Sequence, residues 1–428
     1  MLNPKQVQIE GGIPLVGNVQ VGGSRALSLK LIYAAILCGE SCVLSNVPKS
    51  RYVLDDLEIA QDLGVKAAWS SSNRLTVNSH DLAGEPISLE KASKIATAGF
   101  LVPALVHKFG KAVLPKSTAG VLKIDRGNQY AKIWQSFGME VKEDFDNYYI
   151  EAVKLQSGEV AMPYKSRILT DMAILTALFV LGESTILNAS FDVETDDLID
   201  FCNKIGGDVK RLESGSISVN GSGVFKSVEY ELPFDREESA FFILATLLTS
   251  GNTTLKRVER TRLLPFLNWL SKVGASYEFL DDDMRVWHNS GTPFEKTEIN
   301  VSPHPGFITD FAPLAVLFDC FAQGESVVLE NLLATNLDYI DDLNHLGADI
   351  KVTKGEENMQ IKVQGPAKLK SGRLVVGDLR YALVSLLYAL CVEGKNDLFS
   401  FEVIENGFEN IVERLKALGA VISSGHSD

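Results

Sequence analysis

Residues 24–45, SRALSLKLIYAAILCGESCVLS, combine an apolar run of helical periodicity with a glycine at position 39 and a short extended segment. The same order recurs five more times, and the corresponding glycines follow at intervals of 69–73 residues. Each of these glycines is followed, 23–28 residues later, by another glycine at the end of a second helical pattern. Glycine adopts the left-handed conformation that ends a helix without a clash of Cβ, so both sets are typical of helix C-termini. The first set is Gly39, Gly110, Gly182, Gly251, Gly324 and Gly394, and the second is Gly64, Gly138, Gly206, Gly274, Gly347 and Gly419.

The spacing predicts six copies of one helix–strand–helix–strand unit that together span the whole chain. Alternating segments supply a further strand in several copies: RLTVNSH (74–80), NYYIEAV (147–153), SISVNGS (216–222) and NMQIKVQ (358–364). Repeats of this length exceed those of the common solenoids, so globular bodies are expected. Three repeats in each body predict two α/β domains, with an active site in the cleft between them.

Composition narrows the class of partner. The 428 residues include 41 Lys and Arg against 55 Asp and Glu, a formal charge of −14, and 46% are hydrophobic. These values exclude a disordered or fibrous chain, and an acidic protein offers no general attraction for a nucleic-acid backbone. Small-molecule substrates are therefore the expected partners, while the oligomeric state stays open.

The sequence also predicts a cytoplasmic location. Apolar stretches such as 172–181 are too short to span a bilayer, and the start MLNPKQVQIEGG lacks the features of a signal peptide. The five scattered cysteines fit reduced thiols in the core. The chain shows no metal-ligand spacing among its six histidines and no glycine-rich nucleotide motif, so no metal or cofactor is expected.

The first helix of every repeat begins with polar or charged residues. One interpretation is that these residues are simple N-caps, since Ser, Thr and Asp accept hydrogen bonds from the first free N–H groups. The other is that helix N-termini and adjacent cations of both domains bind anionic substrate groups. The six starts are Ser24-Arg25, Ser93-Lys94, Ser166-Arg167, Asp235-Arg236, Thr309-Asp310, and Asp378 with Arg380.

Two other segments are candidates for the site. SPHPGFITD (302–310) predicts a rigid loop that presents Asp310 at a helix start, and it holds His304, the one histidine in an informative context. LPKSTAGVLKIDRGNQY (114–130) lies where the two glycines of a repeat are furthest apart, and it carries Lys116, Lys123 and Arg126. It is either a solvated loop or a mobile, anion-binding lid.

Several of these phrases resemble the enolpyruvyl transferase family, and the resemblance covers essentially the whole chain. Within that family the sequence is most similar to the UDP-N-acetylglucosamine 1-carboxyvinyltransferases of cell-wall biosynthesis. The resemblance implies two inverse α/β-barrel-like domains, each of three βαβαββ repeats, with residues 21–232 in one and residues 1–20 plus 233–428 in the other. The matching phrases are GGSRALSLKLIYAAIL (22–37), LNASFDVETDDLIDFCNKIGG (187–207), SPHPGFITD (302–310), VGDLRYALVSLLYAL (376–390) and IVERLKALGA (411–420).

The resemblance implies that the enolpyruvyl group of phosphoenolpyruvate moves to a hydroxyl of a UDP-sugar or nucleotide, with release of phosphate. Asp310 matches the catalytic aspartate of the family, and Arg25 stands where the family has a phosphoenolpyruvate-binding lysine. Arg126 matches an arginine of the lid. The expected substrate-binding residues are Ser166, which matches a serine near the uridine-binding turn, Asp378 and Arg380, which match an Asp-Leu-Arg motif, and Arg167, Lys30, Lys116, Lys123 and His304.

Departures from the family pattern keep alternatives open. The lid lacks the Cys or Asp acid of the cell-wall enzyme, and Ala96, Asn336 and Asn406 replace three of its arginines. Lys30, Lys94, Lys116, Lys123 and Arg167 are additional cations that can rebuild an anion site in another geometry. The alternatives are an enzyme with a changed donor or acceptor, including shikimate 3-phosphate, and a non-catalytic homologue that binds a ligand or a protein.

Overall fold

The computed structural model describes residues 5–93, 95, 97–116, 126–289, 291–330, 337–355 and 358–424, without the side chains of residues 126, 127 and 380. The chain forms two compact units. The continuous unit is Gly23–Pro233, and the interrupted unit joins Met1–Gly22 to Phe234–Asp428. Both crossings lie within two residues of the positions expected from the sequence, near Val21 and Leu232.

Helices and strands alternate along both units. The α-helices are α1 (Arg25–Cys38), α2 (Arg51–Asp62), α3 (Leu89–Ala92), α4 (Val102–Phe109), α5 (Arg126–Ser136), α6 (Arg167–Ala177), α7 (Val193–Lys204), α8 (Arg236–Leu248), α9 (Leu264–Lys272), α10 (Ala312–Asp319), α11 (Asp338–His345), α12 (Leu379–Cys391), α13 (Glu402–Gly407) and α14 (Ile411–Ala417). Short 3-10 helices cover Ala98–Leu101, Arg260–Leu263 and Thr309–Phe311. The strands are β1 (Val7–Gly11), β2 (Val16–Gln20), β3 (Ser41–Ser45), β4 (Lys66–Ser71), β5 (Arg74–Asn78), β6 (Lys111–Pro115), β7 (Glu140–Glu143), β8 (Asn147–Glu151), β9 (Glu159–Ala161), β10 (Gly182–Leu187), β11 (Asp208–Arg211), β12 (Ile217–Gly221), β13 (Glu229–Glu231), β14 (Asn252–Lys256), β15 (Ser276–Leu280), β16 (Asp283–Trp287), β17 (Phe294–Glu295), β18 (Glu298–Val301), β19 (Ala322–Glu330), β20 (Ile350–Lys354), β21 (Met359–Gly365), β22 (Arg373–Val375), β23 (Gly394–Phe399) and β24 (Val421–Ser424).

Each unit contains three small open sheets among its described residues, one for each predicted repeat. The strand orders are β13-β3-β5-β4, β6-β8-β7 and β11-β12-β10-β9 in the continuous unit, and β15-β16-β14-β2, β17-β19-β21-β20 and β22-β23-β1-β24 in the interrupted unit. Five of the sheets combine a parallel pair at one side with antiparallel pairs at the other, as a crossover helix followed by a hairpin requires. The α/β class with three repeats in each unit is confirmed.

The first helix of each repeat is buried on nearly all sides, apart from the exposed last three residues of α4. In α1, all of the fourteen residues except Arg25, Ala26 and Leu29 are buried, and so are all nine residues of α6 from 169 to 177. In the interrupted unit α8, α10 and α12 contact one another, and in the continuous unit α1 contacts α4 and α6. Each of these helices also packs on strands of its own repeat. A helix that is apolar all round is stable only in such a position.

The spacing of the glycines is confirmed, but Gly182, Gly324 and Gly394 lie in the strands β10, β19 and β23 rather than at helix ends. Eleven of the twelve glycines have a positive φ, whereas at Gly251 the left-handed residue is its neighbour Ser250, with φ 53°. A Cβ on Gly251 would lie 2.2 Å from the carbonyl oxygen of Leu15. Glycine is therefore required there by the close approach of two backbones rather than by its own conformation.

The N-cap interpretation holds for four of the six helix starts and is wrong for two. Ser24, Ser166, Asp235 and Asp378 each accept a hydrogen bond from a backbone N–H of the first turn. Ser93 instead follows α3, and the helix of the second repeat begins with the 3-10 turn Ala98–Leu101. Thr309 lies inside its 3-10 turn, after Ile308. Both exceptions lead into helices with a proline in the first turn, where the missing N–H reduces the need for a cap.

No helix among the described residues has both the length and the apolar character needed to cross a bilayer.

A buried carboxyl group at the end of α10 predicts a pH-dependent stability. Burial raises the pKa of Asp319 from 3.8 to about 8. Because the folded protein then holds a proton that the unfolded chain releases, the free energy of unfolding falls by up to about 1.4 kcal/mol per pH unit between these two values. We expect Asp319→Asn to raise the melting temperature by about 5 °C or more at pH 8 and much less at pH 4.5, as measured by calorimetry. The exposed Asp349→Asn substitution is the control, and equal shifts at both pH values would contradict the assignment.

All five cysteines are buried. Because alkylation requires an accessible thiolate, we expect the native protein to take up less than about one tenth of the iodoacetamide taken up by the unfolded chain in the same time. Intact-mass spectrometry measures both. Stoichiometric labelling of a cysteine in the folded protein would refute the burial.

Candidate functional site

The start of α1 places Arg25 at the surface of the continuous unit. The Ser24 side chain accepts a hydrogen bond from the N–H of Leu27, at 3.3 Å, and so fixes the first turn. Arg25 is half-buried, and its guanidinium carbon lies 5.7 Å from the ring centroid of Tyr52 on α2. This cation–π contact orients the side chain while the charge is retained.

The start of α6 is built in the same way around Ser166 and Arg167. Ser166 accepts a hydrogen bond from the N–H of Leu169, at 3.4 Å. The Arg167 guanidinium lies 3.4 Å from Glu194 Oε2 and 3.8 Å from Asp192 Oδ1, and its side chain is 22% exposed. Asp192 in turn caps α7 through the N–H of Glu194. Arg167 is thus held by two carboxylates near the beginning of α7.

Two lysines predicted to bind anions contact carboxylates instead. The Lys30 ammonium lies 3.2 Å from Asp171 Oδ2, and the two side chains are 5% and 0% exposed. Lys116 lies 2.8 Å from Glu143 Oε2 and 5.3 Å from the ring centroid of Tyr148. Lys30 is therefore not an open anion-binding group, and the charge of Lys116 is partly compensated.

Part of the predicted lid falls outside the described residues. Lys123 of the lid lies there, and so do Lys94, Ala96 and Asn336 from other segments. Asn406 is described, and it is exposed on α13. Arg126 is the first residue of α5, but its side chain is not described. The roles predicted for these residues stay predictions.

In the interrupted unit, Asp310 occupies the 3-10 turn Thr309–Phe311 that leads into α10. It is half-buried, whereas the neighbouring Phe311 is fully buried against Phe266, with ring centroids 5.0 Å apart. Phe307 packs on Phe311 at 5.8 Å. The two aromatic anchors on either side fix the backbone of Asp310, so that its carboxylate is presented by a rigid segment.

The preceding loop is equally constrained. Ser302 donates its N–H to the carbonyl of Phe307, at 2.9 Å, and Gly306 donates to that of Pro303, also at 2.9 Å. A Cβ on Gly306 would lie 1.9 Å from Ser302 Oγ and 3.1 Å from the carbonyl oxygen of Pro303, so a larger residue would have to displace the Ser302 side chain. His304 is half-buried within the loop. The structure confirms that this loop leads directly to Asp310 before α10, and its backbone hydrogen bonds restrain it.

The start of α12 holds Asp378 and Arg380. The Asp378 side chain accepts a hydrogen bond from the N–H of Tyr381, at 3.0 Å. The Tyr381 hydroxyl donates to Asp342 Oδ2, at 3.2 Å, which ties this turn to α11. Arg380 lies on the first turn, and its side chain is not described.

Sequence reasoning missed the acidic partners Asp171, Asp192 and Glu194. In the sequence, Asp192 and Glu194 follow Arg167 by 25 and 27 residues, and Asp171 follows Lys30 by 141 residues. The fold brings these pairs together, so no local spacing could reveal them. The one available signal was the acidic run VETDD at the start of α7, which favours the positive end of that helix. Among the described residues no group of three or more His, Cys, Asp or Glu side chains is placed to hold a metal ion.

Comparison with known proteins places this geometry in a family. The family model described as EPSP synthase (3-phosphoshikimate 1-carboxyvinyltransferase) matches residues 9–415. A UDP-N-acetylglucosamine 1-carboxyvinyltransferase of Legionella pneumophila is 27% identical over 98% of this chain and 82% of its own length. Another, from Thermotoga maritima, is 26% identical over 97% of both chains.

Solved structures show the same fold. The enolpyruvyl transferase NikO from Streptomyces tendae superimposes with a TM-score of 0.90 over 100% of both chains, at 20% sequence identity. An EPSP synthase from Acinetobacter baumannii gives a TM-score of 0.76 over 99% of this chain and 100% of its own, at 17% identity. Since the family model covers nearly the whole chain and the fold agrees from end to end, the chain belongs to the EPSP synthase family of enolpyruvyl transferases.

Proposed function

We propose that this protein transfers the enolpyruvyl group of phosphoenolpyruvate to a hydroxyl of a UDP-sugar or nucleotide and releases phosphate. The observation that carries the proposal is the half-buried Asp310, presented by the rigid SPHPGFITD segment, in a chain whose curated relatives include UDP-N-acetylglucosamine 1-carboxyvinyltransferases. Peptidoglycan precursor synthesis is the corresponding cellular role.

Asp310 acts on the acceptor hydroxyl. A carboxylate in hydrogen-bond reach of a hydroxyl takes its proton, or orients it, as the oxygen attacks the enolpyruvyl carbon. Placement in a fixed backbone turn lowers the entropy lost in reaching that arrangement. As that bond forms, the methylene carbon of phosphoenolpyruvate takes up a proton, which gives the tetrahedral intermediate. Loss of a proton from the same carbon and of phosphate then restores the double bond in the product.

Arg25, Arg126 and Arg380 bind the carboxylate and phosphate of the donor. All three belong to the first turn of a helix, where the N-terminal dipole also favours negative charge. A guanidinium donates two parallel hydrogen bonds to an anion, which suits a phosphate better than the single ammonium of a lysine. Arg25 can therefore replace the lysine of the family pattern.

Ser166 and Arg167 receive the acceptor. The first turn of α6 offers backbone N–H groups beside a guanidinium that is already oriented by Glu194 and Asp192. A diphosphate or monophosphate of a nucleotide fits such a start. The second candidate acceptor is shikimate 3-phosphate, which the description of the matching family model favours.

The deciding experiment is phosphate release from phosphoenolpyruvate by the purified protein. UDP-N-acetylglucosamine, uridine monophosphate and shikimate 3-phosphate are offered separately, and we expect release with one of the two uridine compounds. Release with shikimate 3-phosphate alone would replace the proposed acceptor. No release with any of them, from folded protein, would refute the proposed transferase reaction for these acceptors.

Replacing the proposed base tests the role of Asp310. We expect Asp310→Asn to lower kcat by about 10²-fold or more while the melting temperature stays unchanged, because only the proton acceptor is lost. The matched control is Asp282→Asn, which changes an exposed aspartate of the same unit. Equal turnover in the two variants would exclude Asp310 from the reaction.

The donor site is tested at Arg25. Loss of a charge-assisted contact in Arg25→Met is expected to raise the KM for phosphoenolpyruvate by about tenfold or more. Arg25→Lys keeps the charge, so we expect it to raise the KM for phosphoenolpyruvate by a smaller factor. Arg51→Met is the control, since Arg51 pairs with Asp55 on the exposed face of α2. If Arg25→Met leaves the KM for the donor unaltered, Arg25 does not bind it.

A further inference from the structure

A buried ion pair joins the second turns of two central helices of the continuous unit. Lys30 on α1 and Asp171 on α6 approach to 3.2 Å, and both side chains are almost completely removed from solvent. The Thr195 hydroxyl on α7 donates to Asp171 Oδ1, at 2.9 Å. The pair thus connects three helices at their N-terminal ends.

This pair belongs to a larger cluster of charges. Arg167 and Glu194 lie 3.4 Å apart and also connect α6 with α7. Burial lowers the pKa of Lys30, Asp171 raises it, and the charges of Arg167 and Glu194 act on it as well. Arg167 likewise acts on the pKa of Asp171, which burial raises. Two cations and their carboxylates therefore interact as one buried network.

Such a pair is not explained by stability alone. Desolvation of two charges offsets most of their attraction, and apolar residues of the same volume often stabilise a fold equally well. A single unpaired charge at the same place would be strongly unfavourable. The neighbouring Arg167–Glu194 pair can therefore form undisturbed only if another carboxylate neutralises the charge of Lys30.

We infer that Lys30 and Asp171 are positioning residues: Asp171 neutralises Lys30, which leaves Glu194 and Asp192 to hold Arg167 at the start of α6. Lys30 is then not a substrate ligand. The consequence for catalysis rests on the proposed function, because it takes Arg167 as the residue that receives the acceptor.

Removing one charge or both gives opposite outcomes. Asp171→Asn preserves the shape and the contact with Thr195 but leaves the Lys30 ammonium without its carboxylate. Lys30 then competes with Arg167 for Glu194, and Arg167 is released. The double substitution Lys30→Met with Asp171→Leu removes both charges and leaves the Arg167–Glu194 pair intact.

The first test measures the release of Arg167 without any substrate. Phenylglyoxal modifies accessible arginines, and peptide mass spectrometry reports the rate at Arg167. We expect that rate to rise about threefold or more in Asp171→Asn and to return to within about twofold of the original in the double variant. Asp81→Asn, which breaks the exposed Lys66–Asp81 pair of the same unit, is the matched control and should change nothing. Thr195→Val supplies a milder perturbation should Asp171→Asn fail to fold.

The second test uses the acceptor that supports phosphate release. Asp171→Asn is expected to raise the KM for the acceptor about tenfold with kcat within about twofold, and the double variant to recover both. A double variant as impaired as Lys30→Met alone would show that Lys30 contacts substrate and would overturn the inference. Unaltered labelling of Arg167 in both Asp171→Asn and Thr195→Val would also overturn it. Absence of turnover with every acceptor would count against the proposed function only, since the labelling test does not depend on catalysis.

Discussion

A helix that is apolar on every side has to be covered on every side, and this constraint governs both units. The central helices α1, α4 and α6, and α8, α10 and α12, satisfy it by packing on one another and on the sheets of their own repeats. The first two residues of α1 and of α6 are only half-buried, whereas α4 instead exposes its last three residues. The candidate residues Arg25, Ser166, Arg167, Asp310 and Asp378 accordingly lie in the first turn of such a helix or just before it, and all are half-buried. One turn deeper, a charged residue such as Lys30 is acceptable only with a partner like Asp171.

Much of this architecture could be predicted from the sequence because it depends on local chemistry repeated in phase. The glycine spacing predicted the repeats, and the strands β5, β8, β12 and β21 follow the alternating segments. Features that depend on tertiary contacts could not be predicted from the sequence. Nothing local distinguishes Gly251, which is required by the passing backbone of Leu15, from the glycines required by a left-handed turn. The sequence predicted the beginnings of α4 and α10 at the wrong residues, because a proline in the first turn takes the place of a side-chain cap there.

In the candidate site, too, the features set by local sequence were predictable and those set by tertiary contacts were not. The segment that presents Asp310 and the caps at Ser24 and Ser166 were predictable, because a residue and its neighbours determine them. The partners of the additional cations were not, because Asp171, Glu194 and Glu143 reach Lys30, Arg167 and Lys116 only through the fold. In a chain with a net charge of −14, a count of cations overstates the positive potential that is available to an anion.

Because of strand β1, the two units can complete their folding at different stages of synthesis. It pairs with β23 on one side and β24 on the other, and so it completes the sheet of the last repeat. The continuous unit contains every segment it needs between residues 23 and 233, so it can fold while the ribosome is still translating the second half of the chain. The interrupted unit has to keep its first strand unpaired until the final residues emerge. Its folding is therefore expected to be the slower of the two and the more exposed to aggregation, because loop closure over nearly the full chain length precedes any gain from that sheet.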